Sequence, residues 1–185
     1  NLPKERKHEI ENQLEQIAHK LSDNTLKIAV IGEFSAGKST FLNALLREND
    51  LIKSGKRPMT TAVTYIKHGP NDIFIKMKGD RSDLRSSKRV NEVKVDDSFK
   101  AFLSEYQAND DVSSQVDRIT LTLDRDILDN EAVIMDTPGF NAGNEEHQRV
   151  IEAVLKNEAD AFVALFSALN AGRNSDLDFI SEFGG

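Results

Sequence analysis

No cysteine occurs among the 185 residues. That absence excludes a disulfide framework and any thiolate metal site, and it fits a reducing compartment. No apolar run approaches the roughly 20 residues that a membrane-crossing helix needs. The N-terminus is charged and unlike a signal peptide, so membrane contact is expected only through regions outside this chain. Internal repeats and low-complexity segments are missing too. Nor is there a surplus of positive charge: 24 Lys and Arg against 31 Asp and Glu give a formal net charge of −7. This argues against a general nucleic-acid surface, and no nucleic-acid partner is expected. The remaining composition is ordinary, and the length is enough for the core of one α/β domain.

The most informative stretch present is Gly32-Glu33-Phe34-Ser35-Ala36-Gly37-Lys38-Ser39-Thr40, which fits G-x-x-x-x-G-K-[ST]. The apolar run Leu26 to Ile31 leads into it, and the helical pattern Phe41 to Leu46 leads out. Strand, glycine loop and helix are the context a phosphate-cradling loop requires. Phosphate oxygens need closely packed donors, which backbone N–H groups supply where glycine removes the side chain. The helix that follows aims its positive end at the same place. The binding residues are therefore Glu33, Phe34, Ser35, Ala36, Gly37, Lys38, Ser39 and Thr40. Lys38 reaches the β- and γ-phosphates as a point charge, and the Ser39 hydroxyl ligates Mg²⁺. The plainer reading is a strand-to-helix turn with an incidental lysine.

Around this loop the chain reads as alternating elements. Residues 3 to 21 form a helix with a narrow seam of Ile10, Leu14, Ile17 and Leu21, which suits a helical bundle or the domain's own surface. Residues 48 to 61 form a loop holding Thr60 and Thr61. In nucleotide switches this segment supplies a threonine to Mg²⁺ and the γ-phosphate. Strands at 62–66 and 73–77 flank Gly69-Pro70-Asn71-Asp72, whose turn chemistry suggests a hairpin. Residues 79 to 91 look like an exposed insertion. Asp96 or Asp97 caps a helix whose Phe99, Phe102, Leu103 and Tyr106 belong to the core. A loop at 109–114 precedes a strand at 116–123.

Residues 131 to 136 form an apolar strand ending in an acid, as a buried parallel strand does. Asp136 then faces the same sheet edge as the glycine loop. In Asp136-Thr137-Pro138-Gly139 the aspartate can hold magnesium through water, and the Gly139 N–H can bond the γ-phosphate. Residues 140 to 146 suit a second switch, 147–158 a helix, 159–168 a central strand, and 176–183 the start of another helix.

With these three segments the chain resembles the dynamin-superfamily GTPases, and most of all the bacterial dynamin-like proteins. Gly32 to Leu45 and Arg57-Pro58-Met59-Thr60-Thr61-Ala62 carry the resemblance. It implies a P-loop GTPase α/β fold, with a mostly parallel sheet flanked by helices. It also implies a bundle-type N-terminal helix in a segment at 1–22, and a GTPase domain at 25–185 whose C-terminal part is missing. The implied catalytic residues are Ser35, Lys38 and Thr60. Ser39, Thr60 and Asp136 are the implied metal ligands, with Thr61 an alternative register for Thr60, and Asp136 and Gly139 complete the nucleotide site. Ser35 resembles the serine that helps place a monovalent cation, K⁺ or Na⁺. Phe140 stands near the place of the catalytic glutamine of Ras-like proteins, which dynamins also lack.

The implied function is GTP hydrolysis, coupled to dimerisation across the nucleotide face and to membrane remodelling. GTP and GDP, a second copy or dynamin-like partner, and lipid met through regions outside this chain are the implied partners. The implied location is cytoplasmic, peripheral to a membrane. The motif that reads guanine does not occur in this sequence, so specificity rests on the resemblance, and reduced or undetectable turnover is expected of this piece, down to an inactive fragment. Two other readings stay open: a nucleotide-independent interaction module, and a P-loop ATPase.

Overall fold

The computed structural model of the chain describes residues 24–53, 62–78, 95–108, 110–129, 131–140 and 145–168, together with the helical Arg6. The elements are β1 (Leu26–Gly32), α1 (Lys38–Leu45), β2 (Val63–His68), β3 (Asp72–Met77), α2 (Asp97–Ala108), the short α3 (Asp110–Ser113), β4 (Val116–Leu123), a 3₁₀ turn (Asp126–Leu128), β5 (Ala132–Asp136), α4 (Glu145–Asn157) and β6 (Ala161–Leu165). The helix expected at 3–21, the insertion at 79–91 and the helix at 176–183 lie outside the described residues, save for Arg6.

One six-stranded sheet runs in the order β3-β4-β2-β5-β1-β6. β1 lies parallel between β5 and β6, with Val30 opposite Asp136 and Gly32 opposite Leu165. β2 is antiparallel to β5 and parallel to β4, while β3 is antiparallel to β4. The sheet is therefore mixed, and its parallel half carries the glycine loop.

Strand alternation sorts the core onto two faces. Val30, Ile134 and Ile66 point to the face covered by α1 and α2, where Leu42, Leu46, Phe99 and Leu103 are buried. Ala29, Ile31, Met135 and Val63 point to the other face, covered by Ile151 and Val154 of α4. Each fully buried Leu, Ile or Phe contributes about 2 kcal/mol of transfer free energy. By the same alternation Asp136, two residues after Ile134, falls on the α1 face.

Three expectations are corrected. β2 and β3 are not a hairpin, because β4 fills the slot between them. Their turn wraps over the end of β4: Gly69 N–H donates to the Leu123 carbonyl at 3.1 Å. The Thr122 hydroxyl donates to the Pro70 carbonyl at 2.6 Å, and Asp124 N–H to Asn71 Oδ1 at 3.2 Å. Next, β6 is shorter than expected and lies at the sheet's edge among the described residues rather than at its centre. Finally, the loop expected at 109–114 contains the helical turn α3.

Local chemistry accounts for the helices that frame the site. Asp96 caps α2, accepting from Phe99 N–H at 2.7 Å and from the Ser98 hydroxyl at 2.8 Å. The Phe102 and Tyr106 rings of α2 meet at 5.1 Å, tilted by 54°, against the core. At the far end of α4, the Tyr65 hydroxyl of β2 donates to Glu158 at 2.7 Å. Arg118 lies over the Tyr65 ring at 4.2 Å. Burial, then the bond to Glu158, pushes the Tyr65 phenol far above its ordinary range, so it stays a donor.

Candidate nucleotide-binding site

β1 delivers Gly32 to the parallel edge of the sheet, where the strand must stop and turn. A Cβ on Gly32 would meet the Leu165 carbonyl oxygen of β6 at 2.5 Å, so no side chain fits there. Gly37 has open space around it but sits at φ +92°, the left-handed region that glycine tolerates. Between them Ser35 is exposed at φ 64°, and Ala36 N–H donates to the Glu33 carbonyl at 3.1 Å. α1 then opens on Gly37 with no side-chain cap and no acidic residue in its first turn. The N–H groups and positive end of that turn suit an anion.

The second strand end meets this loop. Phe34 N–H donates to the Phe140 carbonyl and Phe140 N–H to the Gly32 carbonyl, each at 3.2 Å, and Glu33 bridges Phe140 in parallel fashion. The Thr137 hydroxyl donates to the Val30 carbonyl at 2.8 Å. Gly139 thereby lies directly on the loop: a Cβ there would stand 3.0 Å from Phe34 N and Cα, and 3.3 Å from Lys38 Nζ.

Lys38 folds over its own loop. Its ammonium donates to the carbonyls of Gly32 at 3.0 Å and Glu33 at 3.2 Å. Burial lowers its pKa from the usual lysine value, while the charge of Asp136 opposes the shift. Burial in turn raises Asp136 to about 6, against the pull of Lys38. Two partly desolvated opposite charges beside a loop of backbone donors form an arrangement that phosphate and a cation would complete.

Of the residues expected in the site, Glu33, Phe34, Ser35, Ala36, Gly37, Lys38, Ser39, Thr40, Asp136 and Gly139 are described, whereas Thr60 and Thr61 lie outside the described residues. Lys38, Asp136 and Gly139 come together. Ser39 Oγ donates to the Lys53 carbonyl at 3.4 Å, and Thr40 is exposed. Among the described residues the expected metal ligands are the Ser39 hydroxyl and the Asp136 carboxylate. No cluster of three or more His, Cys, Asp or Glu suited to a metal occurs among the described residues. So sparse a set fits Mg²⁺, which keeps water and phosphate oxygens as its other ligands.

Two residues of this region were not visible from the sequence pattern. Asn43, inside α1, accepts from Leu51 N–H at 3.1 Å and Ile52 N–H at 2.8 Å. It also donates to the Ile52 carbonyl at 3.0 Å. It thus pins the segment that follows α1. His147, in the first turn of α4, is 2% exposed, with Nδ1 3.3 Å from the Gly139 carbonyl oxygen. An asparagine or a histidine within a helical pattern gives no sequence signal of such contacts.

Comparison with known proteins decides the family. The sequence model of the dynamin family matches residues 28–183. The chain belongs to the dynamin family. A bacterial dynamin-like protein of Nostoc punctiforme is 31% identical over 140 residues, covering 71% of this chain and 20% of that protein. Dynamin-like protein 2 of Campylobacter jejuni is 27% identical over 180 residues, covering 92% of this chain and 25% of that protein. The chain thus spans a quarter or less of these two dynamin-like relatives. Among solved structures, an oligomerised bacterial dynamin pair, described as sensing and tethering membranes over long range, superposes with a TM-score of 0.60 at 20% identity. That match covers 95% of this chain and 33% of the other. The mixed sheet with its helices is therefore a dynamin GTPase-type fold, of which this chain covers a part. No helix among the described residues of this dynamin-family chain is long and apolar enough to cross a membrane.

Proposed function

We propose that the chain binds GTP with Mg²⁺ and that the site hydrolyses the γ-phosphate. The observation that carries this reading is the convergence of Lys38, Asp136 and Gly139 on the loop at 32–40. A Cβ at Gly139 would stand 3.0 Å from Phe34 and 3.3 Å from Lys38 Nζ, and Lys38 and Asp136 act on one another's protonation. Family membership supports it.

In this reading the N–H groups opening α1 bind the phosphates, and Lys38 leaves the Gly32 and Glu33 carbonyls to meet the β- and γ-oxygens. Ser39 and Asp136 hold Mg²⁺, which neutralises charge on the phosphates. Thr60 orients the attacking water, Gly139 N–H contacts the γ-phosphate, and Ser35 helps place K⁺ or Na⁺. Catalysis then consists of positioning and charge stabilisation. In the longer proteins of this family the same step would be coupled to pairing across the nucleotide face and to work on membranes, giving a peripheral membrane association.

A titration with a fluorescent GTP analogue in Mg²⁺, using GTP and ATP as competitors, tests the reading. Displacement by GTP alone, abolished by Lys38→Ala, is the expected result. Equal displacement by ATP would defeat the guanine assignment. Unchanged affinity in the Lys38→Ala variant would defeat the site.

A further inference from the structure

We propose that His147 is a positioning residue for the Gly139–Phe140 peptide, an inference that rests on the nucleotide reading above. His147 stands at the head of the buried stripe of α4, followed at helical spacing by Ile151 and Val154. Those two residues pack among Ala29, Ile31 and Met135. An imidazole in such a stripe costs free energy unless it is partnered, and its partner is the Gly139 carbonyl at 3.3 Å. A carbonyl oxygen only accepts, so Nδ1 carries the hydrogen and the tautomer is fixed.

The same peptide is held from its other side, where Phe140 N–H donates to the Gly32 carbonyl at 3.2 Å. Both polar groups of the Gly139–Phe140 unit are thus engaged, one by α4 and one by the glycine loop. This fixes the peptide plane on the carboxyl side of Gly139, and so limits how far the Gly139 α-carbon, to which its own N–H is attached, can move. The far end of α4 is tied to β2 through Glu158 and Tyr65 at 2.7 Å. α4 is therefore held at both ends, and a displacement of Gly139 toward a γ-phosphate reaches the helix through the imidazole. A core histidine with only a packing role would not distinguish one nucleotide from another.

The test compares His147→Leu, which keeps bulk without a donor, with His147→Asn, whose amide nitrogen falls where Nδ1 stood. Affinities for GDP and for a slowly hydrolysed GTP analogue are measured on the full chain. The Leu variant should lose about five- to tenfold in the ratio of triphosphate to diphosphate affinity, with GDP affinity unchanged. The Asn variant should keep the parent ratio within about twofold. An unchanged ratio in the Leu variant, or equal losses for both nucleotides, overturns the proposal while parental binding still stands. Absence of nucleotide binding by the parent defeats the underlying reading instead. A second measurement needs neither nucleotide nor the Leu variant: imidazole ¹⁵N shifts of the parent at pH 8, with His147 assigned from the signal lost in His147→Asn. The Nδ1–H tautomer is expected, and the Nε2–H tautomer overturns the proposal.

Discussion

The Thr137 hydroxyl donates to the Val30 carbonyl at 2.8 Å, with Thr137 4% exposed, so the segment after β5 is fastened to β1 just before the glycine loop begins. Asp136 and Gly139 flank this anchor, and their placement depends on it. Thr137→Val keeps the shape and removes the bond, at a cost of about 1 kcal/mol. The melting temperature should fall by about 2 to 4 °C for a domain of this size. Nucleotide affinity should fall with it. An unchanged melting temperature would mean that the bond contributes nothing.

Gly32 and Gly37 are required for different reasons, and the two should fail differently. Alanine at position 32 would drive a Cβ to 2.5 Å from the Leu165 carbonyl, a backbone atom that moves only if β6 moves. Alanine at position 37 meets nothing but must hold φ +92°, costing about 1 to 2 kcal/mol. Gly32→Ala should therefore lower the melting temperature more than Gly37→Ala. The reverse order in thermal denaturation would contradict the close approach of β6.

These glycines also indicate what the sequence can and cannot convey. The loop at 32–40 is legible because its chemistry is contiguous: turn, charge and hydroxyl follow one another along the chain. Asp136 is legible because an apolar strand ending in an acid places that acid at a sheet edge, and β5 does lie parallel to β1. Gly69-Pro70-Asn71 announces a reversal but not which strand lies beside β2, and β4, about 50 residues later, takes the place. The apolarity of β6 reports partial packing of Phe162, Ala164 and Leu165 against the two cores rather than rank in the sheet. Asn43 and His147 act on backbone groups that the fold brings near, so nothing in their own surroundings marks them.

Asn43 should be among the most sensitive polar positions of the fold. Its amide group makes three hydrogen bonds to residues 51 and 52, whose side chains are 0% and 1% exposed. Asn43→Ala leaves those backbone groups without a partner, at a cost of about 2 to 3 kcal/mol. Asn43→Asp keeps the acceptor and loses only the donor, so it should cost less. Urea denaturation midpoints should rank parent, then Asp, then Ala. Equal midpoints for all three would remove Asn43 from any role in holding the segment after α1.

Asp136 gives the clearest test of the site's electrostatics because stability and binding should move in opposite directions. Burial raises its carboxyl from 3.8 to about 6. Between roughly pH 4 and 6 the folded state therefore holds a proton that the unfolded chain releases, and the native state is favoured at the acid end of that window. As pH rises through 6 this advantage is lost, leaving a desolvated carboxylate that costs about 3 kcal/mol. Asp136→Asn removes the charge. At pH 7.5 its melting temperature should exceed the parent's by about 6 to 12 °C, while at pH 4 the two should nearly coincide. Lys38 opposes the rise in Asp136, so in Lys38→Met the window should shift to higher pH. Mg²⁺-dependent nucleotide affinity of the Asp136→Asn variant should fall meanwhile. An aspartate retained at a cost in stability is what a metal-binding role would require. A variant less stable than the parent at pH 7.5 would show that Asp136 is held by partners of its own, and that the strain at this strand end is not reserved for a ligand.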